Sequence, residues 1–191
     1  MSYWNMEPVK YTGNRSELSF KPEYRYYNPE EVILGKTMED WCRFSVAFWH
    51  TINQRLTDPF GDGTAYRPYD SYTDPMDQAL AKMEDMFELC ETLGVKYFTF
   101  HDRDIAPEGD SLRESNKNLD KVVDKILDLQ KTSDVKVLWN TCNLFGNPRF
   151  LAGAATSPYA DVFAYAAGQL KKSLEIGKLV GSENFVFWGG R

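Results

Sequence analysis

Apolar side chains along this chain follow two rhythms. Four short runs are almost continuously apolar: Arg43 to His50 (RFSVAFWH), Val95 to His101, Val135 to Cys142 (VKVLWNTC) and Phe185 to Trp188. Runs of this length and density predict strands covered on both faces. Between them lie stretches in which apolar residues recur every three or four positions, the spacing of one helical face. Met76, Leu80, Met83, Phe87, Cys90 and Leu93 form the first stripe; Asp74-Pro75 starts it as cap and first-turn proline, and Gly94 stops it. Leu119, Val122, Val123, Ile126 and Leu127 form the second, behind Ser111-Leu112-Arg113-Glu114, which has the form of a capping box. Val162, Phe163, Ala166, Leu170, Leu174 and Leu179 form the third, from a start at Ser157-Pro158 to Gly181. Strand alternating with helix through short connections implies parallel strands and right-handed crossovers. The predicted class is therefore α/β, with four strands and three main helices in residues 39–191.

Residues 1–38 break both rhythms. Tyr11, Phe20, Tyr24, Tyr26 and Tyr27 are scattered among Lys, Glu, Asn and Pro. They predict an extended, aromatic-rich arm lying on a partner surface, with a short helix opening at Asn28-Pro29-Glu30-Glu31. Residues 57–73, broken by Pro59, Gly61, Gly63 and Pro68, predict a loop.

Each strand ends in chemistry. Trp49 and His50, then His101 to Asp104, then Trp139 and Asn140, and finally Trp188 all fall where an apolar run stops. In a parallel sheet these ends share one rim, which is where ligands bind. The bland readings stay open: Trp49 and His50 also suit packed strand ends, and His101 with Asp104 suits a purely structural hydrogen bond. A net charge of -6 without a Lys/Arg cluster argues against nucleic acid or an anionic membrane as partner. Three cysteines, Cys42, Cys90 and Cys142, far apart and in apolar contexts, suggest reduced core residues of a cytoplasmic protein. No run approaches the length of a membrane span, and the start lacks a signal-peptide core. Two histidines make a His-rich zinc site implausible.

FSVAFWHT (44–51), DPFGDGTA (58–65), YTDPMD (72–77), YFTFHDRDIAPEG (97–109), GAATSPYADVFAYAAGQLKKSLEI (153–176) and VFWGGR (186–191) together resemble the amino-terminal half of xylose isomerase, in its long-N-terminus class. The resemblance runs from about Asn28 to the last residue. It implies a TIM-barrel-like fold, of which four strands are a half-barrel, and a metal-assisted hydride shift that converts D-xylose to D-xylulose. Position by position, it implies that His101 binds the sugar ring oxygen and assists ring opening, with Asp104 orienting it. Trp49, Trp139 and Trp188 match aromatic walls around the sugar, and Phe60 matches a residue inserted into a neighbouring subunit. It implies a divalent cation, Mg, Mn or Co, whose ligands in the family lie beyond FWGGR, so a metal site in these residues stays unknown.

Two further expectations follow. An open half-barrel exposes unpaired strand edges, which predicts a homodimer or higher homo-oligomer. Its function is either an aldose-ketose isomerase acting on xylose or glucose, with metal ligands drawn from Asp102, Asp104, Glu108, Asn140 and His50 across a dimer, or a catalytically silent sugar-binding half-barrel, or a fragment with an interaction role.

Overall fold

The computed structural model of the protein describes residues 3–16 and 20–190, so Met1 and Ser2 of the arm and Arg191 of the VFWGGR segment lie outside the described residues. Four strands, β3 (Ser45–Ala47), β4 (Tyr97–His101), β5 (Lys136–Thr141) and β6 (Asn184–Phe185), form one parallel sheet in the order β3-β4-β5-β6. Before it come a small antiparallel pair, β1 (Val32–Ile33) and β2 (Lys36–Thr37), and the one-turn helix α1 (Met38–Trp41). The crossovers are helical: α3 (Pro75–Leu93) joins β3 to β4, α5 (Leu112–Leu129) joins β4 to β5, and α6 (Ala160–Leu179) joins β5 to β6. The one-turn helices α2 (Phe48–Thr51) and α4 (Asp102–Ile105) follow β3 and β4 directly. This is a parallel (β/α) half-barrel, as the alternation of runs and stripes requires.

The end signals act largely as their chemistry dictates. The Asp74 carboxylate accepts the Met76 N–H at the start of α3, and Gly94 closes it at φ 64°, a left-handed conformation that glycine adopts without steric cost. Ser111 accepts the Glu114 N–H, but the Glu114 carboxylate reaches Asp110 N–H, one residue before the cap, so the capping box is only half formed.

Four expectations are corrected. The Asn28 side chain accepts the Glu30 N–H in a local turn, and the helix begins instead at Met38, where Thr37 and Asp40 cap each other. The first strand stops at Ala47, because the chain turns into α2 and buries Phe48 completely. The loop 57–73 contains a 3-10 turn, Pro68–Ser71, which carries the buried Tyr69. The third main helix starts at Ala160; Ser157 Oγ accepts the Tyr159 N–H in a turn that precedes it.

Register decides which residues reach the rim. Val46, Phe98 and Val137 are aligned across the sheet and buried against the helix layer, where the Phe98 ring lies 5.6 Å from that of Phe87 on α3. The next aligned set is Ala47, Thr99 and Trp139. From Phe98 to Thr99 the partner on β5 advances two residues, so Leu138 is a β-bulge. The bulge moves Trp139 to the face opposite Val137, although strict alternation would put both on one face. The core between sheet and helices contains Phe48, Tyr69, Met83, Met86, Phe98, Phe100, Ile126 and Val137. Each such side chain contributes about 1.5–3 kcal/mol by leaving water.

Much of the aromatic arm lies on its own chain, along α3. Trp4 Nε1 donates to the buried Asp85 carboxylate (2.6 Å), which also accepts the Tyr69 hydroxyl (2.8 Å). Burial pushes the Asp85 carboxyl above its ordinary range, and these two donors pull it back. Farther along, Val9 N–H donates to Thr92 O and the Tyr24 hydroxyl to Leu93 O. Phe20 and Tyr26 remain exposed. No helix among the described residues is long and apolar enough to cross a membrane.

Candidate functional site

β4 delivers His101 to the rim, and α4 begins at the next residue. The turn brings Asp104 back over the strand end: one carboxylate oxygen accepts His101 N–H at 2.8 Å and lies 2.7 Å from Nδ1 of the same ring. An acceptor-only partner at Nδ1 selects the tautomer in which Nδ1 carries the proton and Nε2 is a free acceptor. Nε2 has no hydrogen-bond partner among the described residues, so it is the nitrogen left for a ligand.

Aromatic rings enclose that imidazole. The Trp49 ring stands 4.6 Å from it, edge-on, and 5.6 Å from the Trp139 ring. Phe145 meets the imidazole from another side at 5.5 Å. With His50, Thr141, Val186 and Trp188 these residues line an open cleft of about 550 Å³ at the carboxyl ends of the strands. Its walls are mainly indole and phenyl surface, suited to the C–H faces of a small polar ring, with His101 as the polar anchor. The fourth strand, expected over 185–188, is corrected to Asn184–Phe185, so Trp188 lies beyond it on the chain that leaves the sheet, 63% exposed.

Phe60 does not reach the cleft of its own chain. It is 96% exposed on a turn where Asp58 accepts its N–H. Asn140 does not join the rim either: its side chain is buried on the opposite face, where Nδ2 donates to Ser173 O on α6. Thr141, Phe145 and Val186 were not singled out from the sequence. Thr141 pairs with His101 across the sheet and so was reachable by register; Phe145 arrives through a loop fold that no spacing signals.

The carboxylates proposed for a metal are committed elsewhere. Asp102 is fully buried and accepts the N–H groups of Arg103 and Asn143 and the Gln169 amide. Glu108 is engaged by Arg149, Asn147 and Tyr165. Burial raises its carboxyl, but the Asn147 and Arg149 hydrogen bonds outweigh that and hold it below the ordinary range. Among the described residues no three His, Cys, Asp or Glu side chains converge as cation ligands, so these residues do not fit a divalent metal. Burial pushes the Cys142 thiol up to about 12, which keeps it protonated and unreactive at neutral pH.

Fold and site together define a parallel (β/α) half-barrel with an aromatic-walled, histidine-anchored cleft at the ligand-binding end of the sheet. No family model matches the chain. It is 57% identical over 192 residues to the xylose isomerase of Thermoanaerobacter pseudethanolicus, covering 100% of this chain and 43% of that protein. It is 57% identical to that of Thermoanaerobacterium saccharolyticum over 98% of this chain and 42% of that protein, and 60% identical to that of Thermotoga neapolitana over 96% and 41%. The chain is thus similar, along nearly all of its own length, to xylose isomerases, and it spans less than half the length of the curated relatives it matches.

Proposed function

We propose that the protein supplies the sugar-binding and ring-opening part of a xylose isomerase-type aldose-ketose isomerase. The observation that carries this is the His101–Asp104 pair, with Nε2 free, set among Trp49, Trp139 and Phe145 in one cleft. A cyclic aldose such as xylose or glucose stacks its C–H faces on the indoles. Nε2 takes the proton of the anomeric hydroxyl and delivers it to the ring oxygen as the C1–O5 bond breaks. The products are the aldehyde and an unchanged imidazole, and Asp104 stabilises the transient imidazolium. A divalent cation is the family's means of moving hydride between C1 and C2; the described residues do not fit one, and no part of that transfer is assigned to them.

A second reading, sugar binding without turnover, is favoured by the engagement of Asp102 and Glu108 in structural hydrogen bonds. Two measurements separate the readings. Xylose is expected to quench tryptophan fluorescence saturably, with Trp49→Ala weakening binding by about tenfold. Ketose formation from xylose with Mg, Mn or Co present then distinguishes turnover from binding. Absence of any xylose-dependent quenching sinks both.

Assembly with a second copy belongs to the same proposal. β3 and β6 are the outer strands of the sheet, and Phe60 offers an apolar ring to another chain. The three free thiols favour a cytoplasmic setting. Residues 1–38 act as the arm of the half-barrel formed by residues 39–191.

A further inference from the structure

Lys82 projects from α3 and is largely withdrawn from water. Its Nζ donates to Asn53 Oδ1 at 3.1 Å, and Asn53 Nδ2 donates to the backbone carbonyl of Asp104 at 3.0 Å. Asn53 is itself fixed, because its N–H donates to the carbonyl of Phe48, the first residue of α2. One line of hydrogen bonds therefore runs from α3 through the segment after α2 to the residue that holds His101. Both ends of the Asn53 amide face groups of the matching polarity, so its orientation is determined. Around Lys82, Arg55 and Asp70 form an ion pair, and the Asp104 charge also acts on the ammonium. Burial pushes the Lys82 ammonium below its ordinary range and Arg55 adds to this, while Asp70 and Asp104 oppose it. A lysine that merely covered surface would extend its charge into water.

We propose that Asn53 and Lys82 are positioning residues for the His101–Asp104 pair. They fix the first turn of α4 at its backbone, so that the Asp104 carboxylate stays on Nδ1 and Nε2 stays turned to the cleft. Neither touches the sugar. The proposal rests on reading His101–Asp104 as the ring-opening pair, and the test keeps the two claims apart.

The test is nitrogen-15 NMR of the two histidines, with His101 assigned through His50→Gln, recording the Nδ1–H proton and its exchange with water. Asn53→Asp keeps an acceptor for Lys82 but removes the donor to Asp104 O; Lys82→Met keeps the stem and removes the ammonium. Both variants are expected to exchange the His101 Nδ1–H about tenfold faster while the rest of the backbone spectrum stays dispersed. Unchanged exchange in the folded variants overturns the proposal. So does a wild-type protein with no protected Nδ1–H, or unfolding of both variants, which would make the pair merely structural. If exchange responds as expected but xylose never quenches wild-type fluorescence, the positioning role stands and the functional reading falls.

Discussion

Replacing Asp102 with alanine is expected to cost about 3–5 kcal/mol of folding stability, the range for removing one partner from a buried charged network. Asp102 sits one residue after His101 with no exposed surface. Its carboxylate accepts Arg103 N–H (2.9 Å), Asn143 N–H (2.8 Å) and Gln169 Nε2 (2.8 Å), and Gln169 Nε2 also donates to Asn143 O at 3.0 Å. One carboxylate thus joins the end of β4, the loop after β5 and the middle of α6. Two effects oppose each other. Burial disfavours the ionised carboxyl and pushes it above its ordinary range, so alanine removes a desolvation penalty. Alanine also orphans three donors and takes the counter-charge from Arg103, whose buried guanidinium nitrogens have no hydrogen-bond partner among the described residues. Because water cannot re-enter to satisfy all of these groups, the loss dominates.

Asp102→Asn separates the contributions. Its amide oxygen still accepts the two backbone N–H groups, but its NH₂ faces Gln169 Nε2, donor against donor. Gln169 can turn its oxygen inward only by giving up Asn143 O. An intermediate cost of about 1–2 kcal/mol is expected. Denaturant unfolding measures both: an alanine variant within about 1 kcal/mol of wild type, or an asparagine variant as unstable as alanine, contradicts this account. Because Asn143 leads directly into Phe145, the alanine variant should also displace the ring that flanks His101.

What the sequence revealed of this region and what it hid have physical reasons. His101 and Asp104 could be picked out because polar residues three apart, directly after an apolar run, are within reach of one another across a first helical turn. The α3 boundaries were legible because Asp74, Pro75 and Gly94 each solve a local problem of unpaired backbone groups. The Leu138 bulge left no comparable mark: VKVLWNT reads as a plain apolar run, and only pairing with β4 shows that Trp139 changes face. Asn140 was misplaced onto the rim for a related reason, since rim and helix faces alternate along β5 and one-letter adjacency to Trp139 does not distinguish them. Asp102 looked like a ligand because it stands beside His101, whereas its partners Asn143 and Gln169 lie 41 and 67 residues away. The arm's aromatics suggested a foreign surface; part of that surface is α3 of the same chain, joined through a buried carboxylate, Asp85.

The second large effect runs against helix propensity. Gly177 lies inside α6, where alanine would ordinarily stabilise by up to about 1 kcal/mol. A Cβ at this position would stand 2.4 Å from Asn140 Oδ1 and 3.1 Å from its Cγ, with no exposed side chain at hand to yield. Asn140 is wedged between β5 and α6, donates to Ser173 O at 2.9 Å and leaves Oδ1 buried without a partner among the described residues. Gly177→Ala must therefore either break that hydrogen bond or lift α6 from the sheet beneath Trp139. Overpacking of about 1–3 kcal/mol together with about 1 kcal/mol for the strained or lost bond outweighs the propensity gain, so a net loss of about 1–3 kcal/mol is expected. The decisive measurement is the double-mutant cycle. Asn140→Ala alone leaves a void and removes the side-chain donor to the Ser173 carbonyl, which keeps its place in the helical ladder, but in that background the Gly177→Ala methyl enters the vacated space. The double variant should be more stable than the sum of the single losses predicts, by at least about 1 kcal/mol. Additive losses would show that the two residues do not share one space and that Gly177 is retained for some other reason.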